Sequence, residues 1–355
     1  MTTVRPDTAR EVHPDAAAPP SPGTATGSEL GAGTGSELGA GPGSGGATSI
    51  RKGTDAGILR PGPRLTAAWI LSTVFLVLMV VQAVLGLLVE GLYPEETWAV
   101  AALRGNDLVT LVVVAPALAV ALVASRRHPT SASVLVWLGL LFYGVYNFAY
   151  YAFGAAFSDV FLLHVAAFSL STVGLIVLGS SIDAVEAAKG VVGGTRARVV
   201  AAFTTVVGLA LLGAWGTMSV RFAVTGQLPE DVMPPAAVHL VYALDMGVLA
   251  PAFVVAGVLL WRRVPWGGVL GVAINASGAA YLAVLEVVGG FQADAGIAGK
   301  TWLSPVAIGA VLACLAATLA LLVRPHPPLV DAGSLSRAAP GASHAPAATA
   351  PPPAA

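Results

Sequence analysis

Long apolar runs alternate with short polar ones from about residue 65 to residue 323. Apolar runs of about 18 residues or more mark helices that cross a bilayer. Eight segments qualify: Leu65–Val89, Asp107–Ser125, Ser131–Phe153, Ser158–Ile182, Val199–Val220, Ala237–Trp261, Pro265–Gly289 and Leu303–Val323. Each can cover a hydrocarbon core of about 30 Å at about 1.5 Å per residue. The pattern therefore predicts an all-α, polytopic membrane domain of eight transmembrane helices over residues 63–325. Only Gly154–Phe157 separate the third and fourth spans, and Ser158 reads as the N-cap of the fourth, with Asp159 in its first turn.

Composition agrees with that pattern. The chain is 56% hydrophobic and 10% charged, well below the roughly 25% charge of soluble domains. Residues 1–62 and 326–355 are rich in Gly, Ala, Pro, Ser and Thr, and the first carries the tandem GSELGAGT–GSELGAGP (Gly27–Pro42). Such segments bury too little apolar surface to offset ordering entropy and read as disordered tails. The leader is long and mixed in charge before the first apolar run, unlike a signal peptide.

Charge placement orients the bundle. Arg51, Lys52, Arg60 and Arg64, then Arg126–Arg127, then Lys189, Arg196 and Arg198, then Arg262–Arg263 and Arg324 fall on one side. Only Arg104, Arg221 and Lys300 fall on the other. By the positive-inside rule the first side is cytoplasmic, so both termini of a multi-pass protein of the cell (plasma) membrane are expected there.

The text also repeats. Gly91…Pro94-Glu95 recurs as Gly226…Pro229-Glu230 and Ala115-Pro116 as Ala250-Pro251, both at an offset of 135 residues. The pairs Arg126–Arg127 and Arg262–Arg263, and Pro129 and Pro265, follow at an offset of 136. This spacing predicts two parallel four-helix repeats, 65–182 and 199–323, related by an axis along the membrane normal. Pro116 and Pro251 sit near mid-bilayer, where proline frees a carbonyl and kinks a helix; a paired hinge or a cavity is expected there.

Polar groups inside a span are costly and default to function. Tyr143, Tyr146, Asn147 and Tyr150 share one face of the third span. His164 lies in the fourth, about 10 Å below the surface by helix rise. The sixth span carries His239, Tyr242 and Asp245, the seventh Asn275 and Glu286, and the fifth Trp215 and Arg221. Gln82 lies within the first span, while Glu90, Asp107 and Glu286 lie close enough to the boundary to read by default as solvated helix ends. Together these positions predict a pocket open toward the side opposite the arginine pairs. Asp245 leads the set, because a carboxylate at that depth must be protonated, paired or ligating a cation. Its candidate partners are His164, Asn147, Tyr150 and Arg221.

Several chemistries find no support. One cysteine, Cys314, excludes disulfides, iron–sulfur clusters and dithiol redox. The three lysines, Lys52, Lys189 and Lys300, fall outside the spans, against a retinal-type Schiff base. No HExxH, glycine-rich nucleotide loop or nucleophile elbow occurs, and Gly179–Ser181 is far from either membrane histidine. A haem would need two histidines at matched depth. A metal site from His164, His239, Asp245 and Glu286 is geometrically conceivable but lacks local ligand spacing. No cofactor and no nucleic-acid partner is expected.

The segments NDLVTLVVVAPALAVALV, YNFAYYAFGAAF and HLVYALDMG…LLWRRVPWG resemble uncharacterised multipass membrane proteins of high-GC actinobacteria over about Leu65–Arg324. That resemblance implies a membrane fold and no particular activity. The leading expectation is a protein that binds or transports a small solute or ion through an outward-facing polar pocket, within the lipid bilayer. The alternatives are an intramembrane enzyme using His164 and Asp245 on an extracytoplasmic or lipid-linked substrate, and a sensor or assembly partner. The sequence leaves the oligomeric state open.

Overall fold

The computed structural model describes residues 57–227 and 235–323. Most of the two tails, and Pro229-Glu230 of the second repeat, lie outside the described residues. The chain is all-α, and eight helices among the described residues are long and apolar enough to cross a membrane. We label them α1 (Pro63–Leu88), α2 (Thr97–Arg127), α3 (Ser131–Gly154), α4 (Phe161–Ser181), α5 (Gly194–Thr225), α6 (His239–Trp261), α7 (Pro265–Asp294) and α8 (Pro305–Leu322). It is a multi-pass membrane protein.

Local chemistry sets the helix starts. Pro63, Pro265 and Pro305 occupy the first positions of α1, α7 and α8, where a missing N–H costs nothing. Thr130 and Ser133 form a reciprocal capping box at α3. Gly226, at φ 68°, ends α5 in the left-handed region that glycine tolerates.

Two boundaries differ from the sequence reading. Helix α2 starts ten residues before Asp107, at Thr97, because Arg104, Asn106 and Asp107 find partners and need no loop. Helix α4 starts at Phe161, so Ser158 is not its N-cap and Asp159 is not in its first turn. Ser158 instead lends its carbonyl to the Phe161 N–H at 3.0 Å. Part of the expected N-terminal tail is also anchored. The Arg60 N–H donates to the Ser181 carbonyl at 2.8 Å, and the Arg60 guanidinium pairs with Asp183 at 3.2 Å. The Glu186 backbone N–H, then the Arg60 guanidinium, hold the Asp183 carboxyl below the usual carboxylate range.

Helices α1–α4 pack as a ring, each against the next and α4 back against α1; α5–α8 follow the same order. The two groups meet chiefly through α7, which packs against both α3 and α2. Helices α3 and α7 are the most buried of the eight. A Cβ on Gly139 would overlap the Ala273 carbonyl oxygen, so α3 and α7 touch backbone to backbone. Higher on the same seam the rings of Tyr146 and Tyr281 meet edge to face, with centroids 5.0 Å apart. Gly105 of α2 abuts the Val288 backbone of α7, and Leu240 of α6 abuts Gly154 of α3.

The prolines do not act alone. A widened π-helical turn, Thr110–Val114, precedes Ala115-Pro116, and another, Asp245–Leu249, precedes Ala250-Pro251. Proline removes a donor and its ring clashes with the carbonyl one turn earlier. A turn with one extra residue relieves that crowding, and such bulges concentrate at functional positions. The second widened turn begins at Asp245 itself.

The Gly139 contact makes a test of this packing. Gly139→Val should force α3 from α7 and destabilise the protein by about 1–3 kcal/mol. Gly179→Val, where an added Cβ meets nothing within 4 Å, should leave the thermal unfolding temperature in detergent nearly unchanged.

Candidate functional site

The arginine pairs of α2 and α6 define one end of the bundle, called here the basic end; the other is the open end. Asp245 lies inside the protein at 0% exposure, and three neutral donors from three other helices converge on it. Tyr146 of α3 donates to Oδ1 at 2.6 Å and Trp215 of α5 to Oδ2 at 2.8 Å. Tyr281 of α7 approaches both oxygens at 3.3 and 3.4 Å. Tyr242 stacks on the Trp215 ring at 4.3 Å and donates to Met218 Sδ at 3.0 Å, which fixes the indole against the carboxylate.

Tyr146 and Tyr281 line a cavity of about 100 Å³ between α2, α3, α6 and α7, together with Ala102, Asn106, Asn147 and Tyr150. Asn147 is 4% exposed. Its Oδ1 accepts from Asn106 Nδ2 at 2.7 Å, while its own Nδ2 has no hydrogen-bond partner. Asn106 is held in turn, since its Oδ1 accepts from Thr110 at 3.2 Å and Tyr143 at 3.3 Å. A wider recess of about 250 Å³ lies toward the open end, lined by Glu95, Glu96, Trp98, Tyr150, Gly154 and His239 among others. Tyr150 is the one residue that lines both.

A second buried carboxylate sits in the first half. Asp107 is 1% exposed, which corrects its reading as a solvated helix end. It accepts from Tyr93 at 2.6 Å, Tyr151 at 2.8 Å and Gln82 Nε2 at 3.3 Å. Gly86 makes room for it, because a Cβ there would overlap the carboxylate. Burial, then the adjacent Asp107, push the Tyr93 phenol well above its ordinary value, so Tyr93 remains a donor. His164 Nε2 lies 3.0 Å from Gln82 Oε1, an atom that can only accept, so the ring donates there.

The expected partners of Asp245 are therefore corrected. His164 belongs to the Asp107 cluster. Asn147 and Tyr150 border the cavity without reaching the carboxylate, and Arg221 is exposed on the last turns of α5. Asn275 donates to Thr204 at 2.9 Å and to the Gly271 carbonyl at 2.8 Å, joining α7 to α5. Glu286 accepts the Ser304 N–H at 2.9 Å and holds the approach to α8. His239 lines the recess. Thus His164, His239, Asp245 and Glu286 occupy four separate settings, and no three His, Cys, Asp or Glu side chains converge on a metal-sized site among the described residues.

Tyr281, Asn106, Tyr93 and Tyr151 were not singled out as site residues from sequence. The repeat held a signal for the first: an offset of 135 carries Tyr146 onto Tyr281.

Among the described residues Asp245 has no cationic side chain beside it, and Asp107 forms no ion pair, since the nearby Arg104 gives its guanidinium to the Leu87 carbonyl at 2.9 Å. The salt bridges among the described residues, Arg60–Asp183 and Lys189–Glu186, both lie at the basic end. No protein-family model, curated protein or solved structure matches the chain.

The two tyrosines of the α3 hairpin end separate structure from function. Tyr151→Phe removes one of three donors from Asp107 and should lower stability by about 1–3 kcal/mol in denaturant titrations. Tyr150→Phe, whose hydroxyl has no hydrogen bond among the described residues, should leave stability unchanged.

Proposed function

We propose that this protein binds, and carries across the membrane, a small solute or ion in the cavity between its two halves. The observation that carries the reading is the cavity itself. It ends on a tyrosine pair bonded to a buried carboxylate that has no cationic partner among the described residues, and the Asn147 amide beside it is unsatisfied. Buried polar groups are normally paired, and an ionisable group inside a span marks a substrate or ion pathway. A binding site between repeats near the bilayer midplane is the usual carrier arrangement.

Duplication supports the same reading. Gly139 meets Ala273 and Tyr146 meets Tyr281, pairs 134 and 135 residues apart. Gly105 with Val288 is mirrored by Leu240 with Gly154, and the widened turn at Thr110 by that at Asp245. Contacts between equivalent residues at one height are what a two-fold axis between α3 and α7, along the membrane normal, would produce. The halves would then be copies of one four-helix unit, able to shift about that seam with the widened turns as hinges.

The Lys/Arg distribution supports a cytoplasmic basic end with both termini on that side of the cell membrane, and with it a recess that opens outward. The enzyme alternative loses its proposed pair, because His164 and Asp245 sit in different clusters.

Accessibility tests the pocket. In a Cys314→Ser background, Ala102→Cys should react with a small membrane-impermeant thiol reagent applied outside intact cells. Glu96→Cys at the mouth serves as the positive control. A reactive mouth with an unreactive position 102 contradicts an outward-opening cavity.

A further inference from the structure

We infer that the occupant is a small organic cation, an ammonium or alkylammonium group carrying one hydrogen-bond-accepting oxygen; this rests on the pocket reading above.

Charge sets the sign of the occupant. The recess presents Glu95 and Glu96, and among the described residues no lysine or arginine lines either it or the cavity. Beyond the cavity, Asp245 receives three neutral hydrogen bonds and no positive charge. A carboxylate out of water is strongly destabilised unless a proton or cation compensates it. An anion would meet repulsion along the whole approach.

The walls set the kind of cation. Three tyrosines, Tyr146, Tyr150 and Tyr281, line a space otherwise bounded largely by Ala, Val and Leu side chains. Aromatic rings attract ammonium groups, by about 2 kcal/mol or more where water is excluded. Apolar walls favour N-alkyl or N-methylene groups. A divalent metal needs six or more oxygen ligands or a set of His, Cys and carboxylate donors, which the cavity lacks. The volume of about 100 Å³ admits only a few heavy atoms.

Asn147 adds the oxygen. Its Nδ2 is a buried donor without an acceptor, so a hydroxyl or carbonyl on the occupant would satisfy it. Tyr146 and Tyr281 commit their protons to Asp245, which leaves their lone pairs as acceptors for an N–H. The cavity thus pairs one donor, Asn147, with acceptors backed by negative charge.

The test uses the full-length Cys314→Ser/Ala102→Cys protein and protection of position 102 from the thiol reagent. Ethanolamine and tetramethylammonium chlorides are the cationic probes; acetamide and sodium acetate are the neutral and anionic ones, at matched ionic strength. Both cations should protect saturably, slowing labelling about tenfold at ten times their Kd, and acetamide and acetate should not. Asp245→Asn should abolish protection by both cations. Asn147→Leu should weaken ethanolamine alone, because tetramethylammonium has no acceptor oxygen. Protection by acetate or acetamide but not by the amines would overturn the assignment and leave the pocket standing. So would rapid labelling that no probe slows, or amine protection that survives Asp245→Asn. Failure of position 102 to label without any probe, with the mouth reactive, would instead remove the pocket.

Discussion

A carboxylate inside a bilayer is the constraint from which much of this structure follows. Water cannot solvate Asp245 or Asp107, and neither forms an ion pair with an arginine or lysine among the described residues. Each is met instead by three neutral donors drawn from other segments of the chain. Because hydrogen-bond geometry is narrow, those donors fix how α1 and α3 approach α2, and how α3, α5 and α7 approach α6. Glycines permit the close approaches, Gly86 at Asp107 and Gly139 at Ala273.

The two carboxylates differ in one respect that matters for function. The Asp107 cluster is closed: Tyr93, Tyr151, Gln82 and His164 satisfy one another in a continuous network. A network of that kind specifies packing. The Asp245 cluster is open on one side, where Tyr146 and Tyr281 face a cavity that also holds an unpaired amide. The two carboxylates do not occupy matching positions, since an offset of 135 carries Thr110, not Asp107, onto Asp245.

Much of this was legible in the chain, for physical reasons that also explain the failures. Hydrophobic run length located all eight helices, and helical period put Tyr146 and Asn147 on one face. Depth along its span picked out Asp245. Asp107 was misplaced because Arg104, Asn106 and Asp107 together look like a loop. Only the tertiary partners, Tyr93 and Tyr151 at Asp107 and the Leu87 carbonyl at Arg104, make a helix tolerable there. The pairing of His164 with Asp245 failed because matched depth does not decide which helices are neighbours. His164 turns toward α1, and α3 stands between α4 and α7. Glu286 read as a solvated end or a pocket candidate, yet the Ser304 N–H claims it, a loop contact that no periodicity encodes.

The central claim is that Asp245 depends on something outside the protein to balance its charge. Infrared difference spectra of the full-length protein against Asp245→Asn measure this directly, because the carboxylic acid and the carboxylate absorb at different frequencies. Without an added cation the account predicts a protonated acid at Asp245, converted to carboxylate when tetramethylammonium is titrated in. A carboxylate already present in cation-free protein, and unmoved by the titration, would mean that neutral donors alone balance the charge, and would contradict the account.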